Sequence, residues 1–222
     1  YKRDTLPFSQ RFIHRLGVEG RAGYIFQTNP FLEYSNHQYK AMKNAYAGHL
    51  KYSFQLRPHT VADQAYIGAY QGIGVGYFNF GNPEELGNPL AVYLFQGGRI
   101  AQFSPRISLN YEWNFGASFG WKPYDEYDNP ENQIIGSKVN AYLNVNLYLK
   151  WALSPKFDLM IGTTGSHFSN GNTQYPNSGL NTVDCKVGLV YNFNRRADEL
   201  AQSWQRPIVP PFPRHVSYDL TL

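Results

Sequence analysis

"KVNAYLNVNLYLKWAL", Lys138–Leu153, decides the fold. Its odd positions are Val139, Ala141, Leu143, Val145, Leu147, Leu149, Trp151 and Leu153. Its even positions include Lys138, Asn140, Asn144, Asn146 and Lys150. Successive side chains of a strand point to opposite faces, so this segment is a long strand with one apolar and one polar wall. A helix would instead repeat its apolar residues every three or four positions.

The same alternation extends in both directions. In 106–121 the apolar set is Ile107, Leu109, Tyr111, Trp113, Phe115, Ala117, Phe119 and Trp121. In 183–193 it is Val183, Cys185, Val187, Leu189, Tyr191 and Phe193. Weaker versions run over 13–26, 45–57, 70–80, 89–103 and 157–169. Composition agrees: 18 tyrosines and 15 phenylalanines favour strands over helices. No run of roughly 18 apolar residues exists to form a membrane-spanning helix. Eight alternating segments of ten residues or more instead predict an all-β fold, an eight-stranded antiparallel transmembrane β-barrel. Closure pairs every backbone group and leaves no free edge, as a bilayer requires.

Alternation alone does not say which wall faces out, and a lipocalin-like barrel would turn its apolar wall inward around a ligand. The polar wall here carries Arg15, Glu19, Arg21, Lys51, Glu112, Lys138, Lys150, Asp184 and Lys186, of both signs. Eight strands enclose a space that side chains just fill, so these charges are expected to pair inside. Glu112 and Asp184 should each lie near a lysine or arginine. The apolar wall is rich in Trp, Tyr and Phe near strand ends, where interfacial girdles sit. Gly72, Gly74 and Gly76 share one face and relieve crowding there. No helix follows them, so they are not a nucleotide-binding motif.

Loop lengths orient the barrel. "SPR" (104–106) and "SPK" (154–156) are tight turns, whereas 28–44, 122–137 and 170–181 are long. Short turns belong to the periplasm and long loops to the outside. The 58–69 connection is longer than this rule expects. Strand seven then runs outward and ends near Ser169. Residues 1–193 read as the barrel. Residues 194–222 read as a proline-rich tail, in which "HVSYDLTL" resembles a strand continuing beyond Leu222. A chain opening on Tyr1 is expected to have a processed or trimmed N-terminus.

Strand seven also carries the candidate chemistry. Counting by twos from Phe157, Leu159 and Ile161 reaches His167 and Ser169, which therefore point outward; Asn181 shares the parity of Val183. One reading is a solvated polar loop. The other is a serine nucleophile, a histidine base two residues back, and an orienting group on the next strand.

His167-Phe168-Ser169-Asn170, then Pro176-Asn177-Ser178-Gly179, then Leu180-Asn181 resembles the PagL-type lipid A 3-O-deacylases. These are eight-stranded outer-membrane barrels. The resemblance is specific over about 157–193 and architectural before that. It implies that Ser169 attacks an ester carbonyl, that His167 takes its proton, and that Asn170 helps bind the oxyanion. The family's acid, usually glutamate, falls on Asn181. Its backbone oxyanion donor falls near Gly171-Asn172. An asparagine can orient a histidine but cannot stabilise imidazolium by charge. The resemblance further implies bacterial outer-membrane localisation and lipid A or lipopolysaccharide of the outer leaflet as substrate; the sequence leaves a homodimer open.

No cofactor or metal is expected. There is one cysteine and no His-Glu-x-x-His pattern. "DEYDNPEN" (125–132) lacks an EF-hand pattern and reads as a solvated acidic loop. Histidines 14, 37, 49, 59 and 215 read as structural or solvated. A net charge of +4 permits an anionic partner without pointing to nucleic acid. The competing class is a structural or interaction barrel without catalysis. A channel is the weakest reading, because eight strands leave no open pore.

Overall fold

The computed structural model describes residues 7, 10–58, 60, 63, 66 and 68–202. The stretch "HVSYDLTL", most of the proline-rich tail, His59 and His215 lie outside the described residues.

Eight antiparallel strands close into a barrel. They are β1 (Phe12–Ile25), β2 (Asn44–Leu56), β3 (Tyr70–Asn79), β4 (Gly87–Gln102), β5 (Ile107–Trp121), β6 (Val139–Ala152), β7 (Phe157–Ser169) and β8 (Leu180–Asn192). Each pairs with the next, and β1 pairs with β8. The eight-stranded fold read from the alternation is the one found. The last strand begins at Leu180, three residues before the expected Val183. The ladder holds there because His167 pairs with Asn181 on one side and Phe26 donates its backbone N–H to the Asn181 carbonyl on the other (2.9 Å).

Neighbouring residues settle which wall is outside. Leu147 is 46% exposed and Asn146 only 1%. The apolar wall therefore faces outward and the polar wall fills the lumen, as a lipid-embedded barrel demands. None of the described helices is long and apolar enough to cross a membrane. Among them are α1 (Pro30–Glu33), within the first long loop, and α2 (Asp198–Gln202), after the last strand.

In the lumen, Glu19 accepts from Arg21 Nε (2.7 Å) and pairs with Lys186 (2.8 Å). Glu112 pairs with Lys51 and accepts from the Tyr70 hydroxyl (2.9 Å). All six side chains are buried. Buried charges are tolerable only when paired in this way. Two expectations need correction. Asp184 forms no ion pair among the described residues; it accepts from Thr182 Oγ1 (2.8 Å), while Arg21 turns to Glu19. Lys138 is not luminal. It precedes β6 and is exposed.

The glycines of β3 point inward and make room for rings. A Cβ on Gly74 would lie 2.4 Å from the Tyr93 ring, and one on Gly76 would lie 2.6 Å from the His49 ring. His49 is buried, with Nδ1 2.9 Å from the Tyr93 hydroxyl.

The two ends differ. At the end with the tight turns, Ser104 Oγ accepts from the N–H of Ile107 (3.0 Å) and Ser154 Oγ from that of Phe157 (3.1 Å). The first residues after Phe193 are held at this end. Arg195 pairs with Asp158 (2.8 Å), and Glu199 of α2 with Arg57 (2.5 Å). At the other end the long loops fold over the mouth. Phe31, Leu32, Leu86, Ile134 and Ile135 are buried there with Phe80, Trp121 and Phe168.

Candidate active site

Strand β7 brings the candidate side chains together through its alternation. His167 and Ser169 face outward on either side of Phe168, which points in and is fully buried. The Phe168 ring lies against Phe78 (5.0 Å between centroids), Trp121 (5.2 Å) and Tyr142 (5.2 Å). An aromatic box of this kind holds the outer end of β7 in one place.

The ladder between β7 and β8 sets His167 directly opposite Asn181. The His167 ring lies between two polar partners. Its Nδ1 is 2.7 Å from Asn181 Oδ1, and its Nε2 is 3.0 Å from Ser169 Oγ. An amide oxygen can only accept, so Nδ1 carries the proton and Nε2 is left as acceptor for the serine hydroxyl. Same-face neighbours on a strand stand about 7 Å apart at the backbone, so the two side chains lean together to meet. Both are half-buried on the outer wall, at the mouth end of the barrel.

The loop after Ser169 is stitched to itself. Asn170 donates its backbone N–H to Asn177 Oδ1 (3.1 Å) and its side-chain amide to the Gln174 carbonyl (2.7 Å). Gly171 and Asn172 have φ of 64° and 61°, and the Thr173 N–H returns to the Asn170 carbonyl (3.4 Å). Positive φ at both central residues is the turn that glycine and asparagine favour. Asn170 thus keeps one amide hydrogen beyond its bond to Gln174. The Gly171 backbone lies at the exposed tip of the turn.

Two supporting residues were not singled out for this role by sequence reasoning. One is Phe168, whose inward parity was legible but whose ring partners were not. The other is Gly179, which has φ of 73°. A Cβ there would sit 3.1 Å from His167 Cε1 and 3.1 Å from the Phe168 carbonyl oxygen. The backbone of Gly179 is the floor under the histidine ring. The loop over it is pinned by Ser178 N–H to the Gln133 carbonyl (3.2 Å) and Gly179 N–H to the Ile134 carbonyl (3.1 Å). The remaining histidines stand apart from the site: His14 meets the Tyr52 hydroxyl (2.7 Å) and His37 is exposed. Among the described residues no group of His, Cys, Asp and Glu is placed to hold a metal.

Residues 15–190 match the family described as Lipid A 3-O-deacylase (PagL). No curated protein matches this chain by sequence. Solved structures with a similar fold include Neisserial surface protein A, at 11% identity and TM-score 0.47, covering 82% of this chain and 96% of that one. The outer membrane enzyme PagL is similar at 14% identity and TM-score 0.46, covering 78% of this chain and 97% of that one. The N-terminal β-barrel domain of Pseudomonas aeruginosa OprF is similar at 10% identity and TM-score 0.45, covering 81% and 97%.

Proposed function

The chain belongs to the PagL family of lipid A 3-O-deacylases and is an integral protein of the bacterial outer membrane; on that premise we propose that it is a lipid A esterase working through Ser169 and His167. The observation that carries this reading is the His167 ring held between Ser169 Oγ (3.0 Å) and Asn181 Oδ1 (2.7 Å) on the outer wall. The substrate is an acyl chain ester-linked at the 3-position of lipid A, and it reaches the site within the outer leaflet.

The chemistry runs in two halves. Ser169 Oγ attacks the ester carbonyl carbon as His167 Nε2 takes its proton. The carbonyl oxygen becomes an oxyanion, for which the free amide hydrogen of Asn170 and the N–H of Gly171 are the proposed donors. The intermediate collapses as His167 returns the proton to the departing sugar oxygen. Water then repeats the sequence on the acyl-serine, releasing the fatty acid and restoring the hydroxyl. Asn181 holds the productive tautomer by accepting from Nδ1–H, but lends no charge to the imidazolium.

Mass spectrometry of lipid A from cells with and without the protein tests the reading. The expected result is loss of one ester-linked acyl chain with the wild type and none with Ser169→Ala, at equal amounts of folded barrel. Unchanged deacylation by Ser169→Ala overturns the mechanism. The neutral Asn181 in place of the family's acid favours a second reading, a barrel that keeps the geometry without turnover. Intact lipid A in the presence of wild type on every substrate tried would select it.

A further inference from the structure

The mouth of the barrel is electrically lopsided, and the lopsidedness is organised around the candidate site. The β3–β4 turn lies across the barrel from the β7–β8 loop, four strands away in either direction. On that far half Glu84, Asp125, Glu126, Asp128 and Glu131 are exposed, against Lys122. The acidic hairpin is fastened there: Asn129 and Asn132 donate their side-chain amides to the Glu85 carbonyl (2.9 and 3.0 Å). The Asp125 carboxyl accepts from the N–H groups of Asp128 and Tyr127, which hold it below the usual carboxylate range, so it stays ionised.

The half that carries the site is the reverse. Lys43 and Lys138 are exposed on it, against Glu33. The two lysines bracket the candidate trio. Lys138 precedes Ala141 by three residues, and Ala141 is the ladder partner of Ser169, which places Lys138 about 10 Å along the strand. On the other flank, the Lys43 carbonyl accepts from Ile25 N–H (2.8 Å), and the next residue, Phe26, donates to the Asn181 carbonyl. Lys43 therefore stands two strand spacings, about 10 Å, from Asn181. Neither lysine is in an ion pair with a described residue. A lysine is a flexible point charge suited to a phosphate that arrives in varied poses.

We propose that Lys43 and Lys138 bind the phosphate groups of the lipid A disaccharide and so set its position over Ser169, while the acidic far half turns the anionic headgroup away. This rests on the esterase reading for its substrate, and binding is measured apart from turnover so that the two can fail separately. The lysines act as positioning residues and touch no reacting atom.

The test uses the Ser169→Ala protein in neutral detergent micelles. It is titrated with bis-phosphorylated, mono-phosphorylated and fully dephosphorylated lipid A, and binding is followed by intrinsic tryptophan fluorescence. Binding of the bis-phosphorylated form is expected to be at least about tenfold tighter than that of the dephosphorylated form, and to weaken steeply with salt. Adding Lys43→Gln and Lys138→Gln should remove most of that difference and leave the dephosphorylated form unaffected. Glu126→Gln with Glu131→Gln should keep or tighten binding. Equal affinity for phosphorylated and dephosphorylated lipid A overturns the proposal, as does an undiminished preference in the double lysine variant. Equal weakening by the two glutamine-for-glutamate changes overturns it too. A wild type that binds phosphorylated lipid A selectively through these lysines yet never hydrolyses it supports the proposal and sinks the esterase reading instead.

Discussion

The lumen and the outer end of β7 both hold polar side chains in a protein built to face lipid, but they hold them on different terms. In the lumen, Glu19, Arg21, Lys51, Glu112 and Lys186 form an interlocked ionic group with its members buried. Each charge has an opposite neighbour and little freedom. On the outer wall, His167, Ser169 and Asn181 form a short half-buried row, each bonded to its neighbour along one face. The first arrangement makes a filled barrel possible, since an unpaired ion in that space is costly. The second leaves a hydroxyl and a ring nitrogen half-exposed on the outer wall. Pairing is the signature of support in the lumen, and partial exposure is what the proposed chemistry requires on the wall.

The comparison can be broken from either side. The largest effect is expected in the lumen. Glu19→Leu strands Arg21 and Lys186 without their carboxylate, and should cost roughly 3–5 kcal/mol of stability. Urea titration of the barrel in lipid vesicles measures it, and activity per folded molecule should stay near wild type. A barrel as stable as wild type would show that the ionic group is dispensable.

Asn181→Ala comes next. It frees the histidine ring and should lower deacylation roughly tenfold to a hundredfold with almost no change in stability. Asn181→Glu should move the other way, because a carboxylate stabilises the imidazolium that forms as Ser169 attacks. Initial rates on purified lipid A separate the two, and a slower Asn181→Glu would remove Asn181 from its proposed orienting role.

Gly179→Ala should have the smallest effect. Its methyl meets the His167 ring at 3.1 Å in a backbone conformation that costs an L-residue about 1–2 kcal/mol. A severalfold fall in kcat with KM little changed is expected, since the ring shifts while the lipid-facing wall does not. A rise in KM alone would place Gly179 in substrate binding instead.

Much of this molecule could be read along the chain. The strict alternation of 138–153 and 183–193 determined the strands, their count, and through the charges of the polar wall which side is out, because period two is a property of single strands and needs no partner. The parity of β7 likewise turned His167 and Ser169 outward. What the sequence could not decide was set by contacts between strands. Asn181 meets His167 because the β7–β8 register makes them partners, and the ladder continues three residues past the last convincing alternation. Asp184 went to Thr182 instead of a cation, and Lys138 lies exposed ahead of β6, since parity does not say where a strand stops or which neighbour a side chain prefers. The roles of Phe168 and Gly179 were equally hidden. A ring's partners and a missing Cβ have meaning only once four strands and two loops converge on one end of the barrel, and that convergence is a property of closure, which no single strand contains.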